Sequence, residues 1–140
     1  DFPLPREPLS AAFVDKAGAM RLGPDEWLLV VAPERAQAVC DAIESALRGR
    51  HMALVDLSHA LTEIAVEGPG GRELLAAGCP LDLDPTIVAP GFASRTLLGK
   101  AEVVLAIRAQ NAISLFVARS FAGYVMAFLA EAARSLRAGG

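Results

Sequence analysis

Asp56, Ser58 and His59, followed after a glycine-rich corner by Cys79, bring together side chains able to do chemistry within one short stretch. Serine, histidine and carboxylate are the parts of a hydrolase, in which the histidine takes the nucleophile's proton and the carboxylate orients the imidazole. The spacing argues against that use. In an extended chain, side chains alternate, so Asp56 and Ser58 project to one side and His59 to the other. The G-x-S-x-G elbow that presents a serine nucleophile is also absent. Asp and Ser at such a break satisfy nearby backbone groups. That leaves His59 as a candidate contact to a partner or ligand, together with Arg72 and Arg119.

The corner Gly68-Pro69-Gly70-Gly71 joins a strand pattern to a helix start, where free N–H groups are able to cradle a phosphate. The third glycine of a dinucleotide fingerprint would fall at position 73, which is Glu73 and would repel an anion. Gly99-Lys100 runs into Ala101, so there is no Walker sequence. Two cysteines and two histidines, widely separated, fall short of a zinc set. Cys40 lies on an apolar helix stripe and is expected to be an inert core thiol; Cys79 is expected to pack under a loop. No catalytic, cofactor-binding or metal site is expected on this chain.

The elements that position these residues follow from pattern. Residues 1–10 carry prolines at 3, 5 and 8 and predict an extended arm; residues 11–140 predict a single domain. Weak strand character over 13–22 ends at the turn Gly23-Pro24-Asp25. The unbroken apolar run 26–32 predicts a strand covered on both faces near a sheet centre. Pro33 opens a helix whose Ala36, Val39, Cys40, Ile43 and Leu47 form one stripe, closed by Arg48-Gly49-Arg50. Residues 52–57 predict a second buried strand, and 61–66 a half-buried one. A short helix stops at Gly78-Cys79-Pro80. Three strand runs, 93–98, 102–107 and 113–117, are separated by breaks short enough for hairpins and predict an antiparallel meander. Ser120 is placed to cap a last helix with Phe121, Tyr124, Val125, Phe128, Leu129, Ala132 and Leu136 on one stripe.

Composition bounds the function. Hydrophobic residues make up 54% of the 140, above the roughly 45–50% usual in soluble domains. The charge-free run 120–130 is well short of the roughly 18 residues a membrane span needs, so no membrane role is expected. The apolar excess points to a partner surface, or to self-association of the isolated chain. A net charge of −3 with scattered basic residues disfavours nucleic acid. Two cysteines are no disulfide framework, and a reducing cytoplasm is expected.

The run Val55-Asp56-Leu57-Ser58-His59, then Val66-Glu67-Gly68-Pro69, then Gly78-Cys79-Pro80-Leu81-Asp82-Leu83, then Arg119-Ser120-Phe121 resembles the gamma subunits of heterotetrameric sarcosine oxidases. Gly23-Pro24-Asp25-Glu26-Trp27-Leu28-Leu29 is similar to the same family's first strong strand, and the resemblance covers about residues 20–137. It implies an α+β fold of antiparallel sheet with about three helices, like the glycine-cleavage T-protein, with ferredoxin-like β-α-β elements. It also implies an accessory role beside alpha, beta and delta subunits that carry FAD, FMN, NAD and tetrahydrofolate. The implied reaction of the complex is oxidative demethylation of sarcosine to glycine, the one-carbon unit passing to tetrahydrofolate or leaving as formaldehyde, with hydrogen peroxide formed. The alternative is a stand-alone folate-binding or aminomethyltransferase-like protein. Here the chain departs from its superfamily: Gly70-Gly71 is followed by Arg72-Glu73 rather than by an acidic catalytic motif, and Ala77-Gly78-Cys79-Pro80 replaces the Lys-Gly-Cys-Tyr of the iron–sulfur-assembly relatives.

Overall fold

The computed structural model describes residues 3–139; the first two residues of the expected arm lie outside them. The described residues are α+β, with two antiparallel sheets and three α-helices. Strands β1 (Ser10–Val14), β2 (Ala17–Gly23) and β3 (Glu26–Val30) form a three-stranded meander. A 3₁₀ turn, Pro33–Arg35, leads into α1 (Ala36–Ala46). Then come β4 (Leu61–Glu67), α2 (Gly71–Ala76), β5 (Ala93–Leu98), β6 (Ala101–Ala109), β7 (Ala112–Ala118) and α3 (Arg119–Ala138). The second sheet has the order β4-β7-β6-β5.

The centre of the molecule is the β6–β7 hairpin. Alternation along β6 and β7 sends Val103, Leu105, Ile107, Ile113, Leu115 and Val117 to one face, where Leu75 of α2 and Val125 and Leu129 of α3 cover them. Each such side chain contributes about 1.5–3 kcal/mol on burial, before entropy is subtracted. Val104, Ala106 and Phe116 point the other way and meet Met20, Phe13 and Leu28 of the first sheet. The four-stranded sheet is thus sandwiched between a small sheet and two helices. A bridge between Ser10 and Phe92 stitches β1 to the approach of β5.

Two-residue connections close the β1–β2 and β5–β6 hairpins, with Asp15 at φ 55° and Gly99 at φ 58°. These left-handed angles are those of the primed turns whose twist matches the flanking strands.

Several expectations are corrected. Residues 26–30 form an edge strand, not a central one, and Trp27 is 39% exposed. An unbroken apolar run does not distinguish coverage within a chain from coverage by something else. Helix α1 forms where its periodicity predicts, yet it buries no residue, and Cys40 is half-exposed rather than a core thiol. Residues 52–57 form no strand and are exposed, because no ladder partner lies beside them. The last helix begins at Arg119 with Ala118 as its cap residue and no side-chain cap bond, so Ser120 lies inside the first turn. Its covered stripe is Val125, Leu129 and Ala132, while Phe121, Tyr124 and Leu136 remain exposed.

Candidate functional site

The corner at 56–60 is a local turn. Asp56 Oδ1 accepts from the Ser58 backbone N–H at 2.9 Å and also from the Ser58 hydroxyl. These bonds, the hydroxyl's foremost, hold the Asp56 carboxyl below the ordinary carboxylate range. Ser58 is therefore a donor to its neighbour, as Asp-x-Ser turns make it. Its hydroxyl proton goes to a carboxylate with no imidazole between, which is the wrong order of partners for an activated nucleophile.

His59 is exposed at the end of this turn. Its neighbour Ala60 accepts the backbone N–H of Arg119 at 2.9 Å, and Leu61 pairs with Ala118. The antiparallel β4–β7 ladder thus brings His59 and Arg119, sixty residues apart in sequence, to the same end of the sheet. Both are exposed.

Arg72 lies at the opposite end of β4, seven strand residues away, which is about 20 Å. Its Nη1 donates to the carbonyls of Leu83 at 2.9 Å and Val88 at 2.7 Å. Nε and Nη2 are buried with no hydrogen-bond partner among the described residues. One guanidinium therefore gathers the connection 80–90 against α2. Within that connection Asp84 accepts from the N–H and hydroxyl of Thr86, which chiefly lower its pKa, with a smaller contribution from Arg72. The structure brings two of the three candidate contacts together and turns the third inward.

The glycine corner is a strand-to-helix turn. Gly68 has φ 114°, and α2 is only six residues long with Glu73 in its first turn. Those residues do not fit a dinucleotide phosphate. Cys79 is buried, with its Sγ 3.6 Å from the Thr96 hydroxyl. Among the described residues there is no group of three His, Cys, Asp or Glu side chains placed to hold a metal ion.

One polar cluster was missed from sequence. Ser114, 1% exposed, donates to Glu63 Oε1 at 2.6 Å and accepts from Arg108 Nε at 2.6 Å, while Arg108 Nη2 meets Glu63 at 3.0 Å. Arg108 also lies over the Phe13 ring, 4.2 Å from its centroid. Arg108 Nη1 also reaches the Asp15 carbonyl at 3.4 Å, so the triangle clamps the β1–β2 hairpin to the larger sheet. A lone serine inside the apolar run 113–117 is the signal the sequence offers.

The profile of the "Sarcosine oxidase, gamma subunit family" matches residues 8–135. The sarcosine oxidase gamma subunit of Corynebacterium sp. (strain U-96) is 30% identical over 122 residues, covering 87% of this chain and 58% of that protein. That of Corynebacterium sp. (strain P-1) is 28% identical over 122 residues, covering 87% of this chain and 59% of that protein. The chain therefore spans a little under three-fifths of the length of these relatives. A chain of the heterotetrameric sarcosine oxidase from Corynebacterium sp. U-96, solved in complex with pyrrole 2-carboxylate, superposes with a TM-score of 0.84 at 28% identity, covering 94% of this chain and 67% of that one.

Proposed function

Because the chain belongs to the sarcosine oxidase gamma subunit family, we propose that it is the accessory, non-catalytic gamma subunit of a heterotetrameric sarcosine oxidase, assembled with alpha, beta and delta subunits. The observation that carries this reading is the match over 94% of the chain to a chain of such an assembly. In this reading FAD, FMN, NAD and tetrahydrofolate sit on the larger subunits. There the N-methyl group of sarcosine is oxidised and glycine released, the one-carbon unit leaving on tetrahydrofolate or as formaldehyde, and oxygen is reduced to hydrogen peroxide. The two free cysteines suit a reducing cytoplasm.

The physical support is apolar surface left exposed outside the core. An exposed tryptophan on an edge strand and a helix with no buried residue are costly in water and favourable inside an assembly. His59 and Arg119 serve as polar contacts at one end of the sheet, and Arg72 acts at one remove by fixing the connection 80–90. Co-expression with alpha, beta and delta subunits tests the reading: the chain should co-purify with them in equal amount. Recovery of a complete alpha–beta–delta enzyme with this chain left in the unbound fraction would refute it.

A further inference from the structure

We propose that Arg21 and Trp27 form a cleft for an extended, proline-rich segment, that residues 3–8 close it in cis as a hinged strap, and that the strap swings out at Leu9 while the domain stays folded. This does not rest on the subunit reading above.

The cleft follows from strand alternation. Met20, Leu22 and Leu28 pack toward the four-stranded sheet, so Arg21 and Trp27, which face each other across the β2–β3 ladder, lie on the outer face of the small sheet. The guanidinium of Arg21 sits over the indole, 5.4 Å from its centroid. It is aimed there by bonds to the carbonyls of Gly23 at 3.2 Å and Pro24 at 2.8 Å. A cleft of about 600 Å³ is lined by this pair and by Pro3, Leu4, Pro5 and Arg6.

The arm suits the cleft chemically. Its prolines lack N–H groups and favour an extended backbone whose carbonyls have no internal partners. Two successive carbonyls are taken up by the pair: Trp27 Nε1 donates to that of Pro5 at 3.1 Å, and Arg21 Nη1 donates to that of Arg6. Pro5 is buried. An aromatic ring with a donor at its edge, set against a proline and a free carbonyl, is the means by which proline-rich segments are recognised.

The same strap is built to open. Pro5 is the one buried residue among 3–8, and no backbone group of residues 3–6 bonds to another backbone group among the described residues. The chain is first tied to a neighbouring strand at Leu9, whose carbonyl accepts the Ala93 N–H at 3.1 Å. Leu9 has φ 55°, a left-handed angle that is unfavourable for leucine. The strain thus lies between the latch and the first tie, and rotation there relieves it. A segment held by a few side-chain donors and strained at its pivot belongs to the low-stability end of a structure. While it is closed, Trp27 Nε1 and Arg21 Nη1 are occupied by the chain's own carbonyls, so the contact is autoinhibitory.

Trypsin cleavage of the full chain tests this, because Arg6 lies within the strap and Arg108 within the central hairpin. With trace protease, each rate follows the population of the opened form. Below the unfolding transition, cleavage after Arg6 should hardly depend on urea, whereas cleavage after Arg108 should rise steeply. Trp27→Phe keeps a ring but loses the donor, and should speed cleavage after Arg6 about fivefold, the worth of one hydrogen bond. Leu9→Asn, at an exposed position where asparagine tolerates the left-handed angle, should slow it. A synthetic peptide of residues 3–8 carrying Arg6→Gln, which trypsin does not cut, should speed it saturably at concentrations on the order of millimolar, by taking the cleft as the strap leaves. Equal rates for the wild type and Trp27→Phe, no slowing in Leu9→Asn, no effect of the peptide, or the same urea dependence at Arg6 and Arg108 would each overturn the proposal.

Discussion

The backbone N–H of Lys100 donates a hydrogen bond of 3.0 Å to the phenolic oxygen of Tyr124, twenty-four residues further along on α3. This bond fixes the last helix to the tip of the β5–β6 hairpin. It requires Gly99, whose φ of 58° suits glycine, and where a Cβ would come within 2.4 Å of the Tyr124 oxygen. Gly78, just past α2, closes the same contact: its carbonyl accepts the Gly99 N–H at 2.9 Å, and a Cβ there would lie 2.3 Å from the Phe128 ring.

Tyr124→Phe is expected to cost about 1 kcal/mol, the net value of one hydrogen bond. Gly99→Ala should cost at least about 1–2 kcal/mol, because a left-handed angle and a steric contact are imposed together. Urea unfolding measures both. A Gly99→Ala chain as stable as the wild type would mean the hairpin tip and α3 are not in contact.

Leu75 is fully buried against the central strands, whereas its neighbour Leu74 is half-buried. Leu75→Ala should destabilise by about 2–5 kcal/mol and Leu74→Ala by clearly less. Thermal unfolding of the pair settles which face of α2 is the core face; equal losses would contradict the packing described.

The elements of the second half were largely legible in sequence because their partners lie within the chain. The runs 93–98, 102–107 and 113–117 alternate with short breaks, and the meander follows directly. The corner Gly68-Pro69-Gly70-Gly71 and the stop at Gly78 bracket α2 as read. Between residues 26 and 60 the same rules gave the right helix but the wrong burial. Apolar periodicity reports that a face is to be covered, not what covers it, so Trp27, Cys40 and the segment 52–57 read as core although the described residues leave them exposed or half-exposed. That His59 and Arg119 fall at one end of the sheet was not legible, since it depends on β4 pairing with β7 rather than with a sequence neighbour.

Ser114→Ala removes the hydroxyl that joins Arg108 to Glu63 and leaves both with a lost partner, at an expected cost of about 1–3 kcal/mol. The clamp on β1 should loosen with it. A double-mutant cycle between Ser114→Ala and Glu63→Gln, read by denaturant unfolding, should give a coupling energy of about 0.5 kcal/mol or more. Strict additivity would mean the triangle does not act as a unit.

The hydroxyls of Ser58 and Thr86, with their backbone N–H groups, hold the Asp56 and Asp84 carboxyls below the ordinary aspartate range. For a lowered carboxylate, the stabilisation is present above the unfolded value and is lost as pH falls through the folded one. Both turns should therefore hold unchanged above pH about 4 and open only in stronger acid. Carbon-13 NMR titration of the two carboxyls checks this; a midpoint above 3.8 for either would contradict the turn geometry. Thr86→Val should raise the Asp84 midpoint without moving that of Asp56.

The proposed function has this chain support sarcosine oxidation by the assembly without carrying it out. The direct measurement is sarcosine-dependent hydrogen peroxide formation, with the visible absorption spectrum, for the purified chain alone and for the chain reconstituted with alpha, beta and delta subunits. The account predicts no flavin absorbance and no turnover for the chain alone, and turnover for the assembly containing it. Sarcosine oxidation by the isolated chain with flavin bound would contradict it.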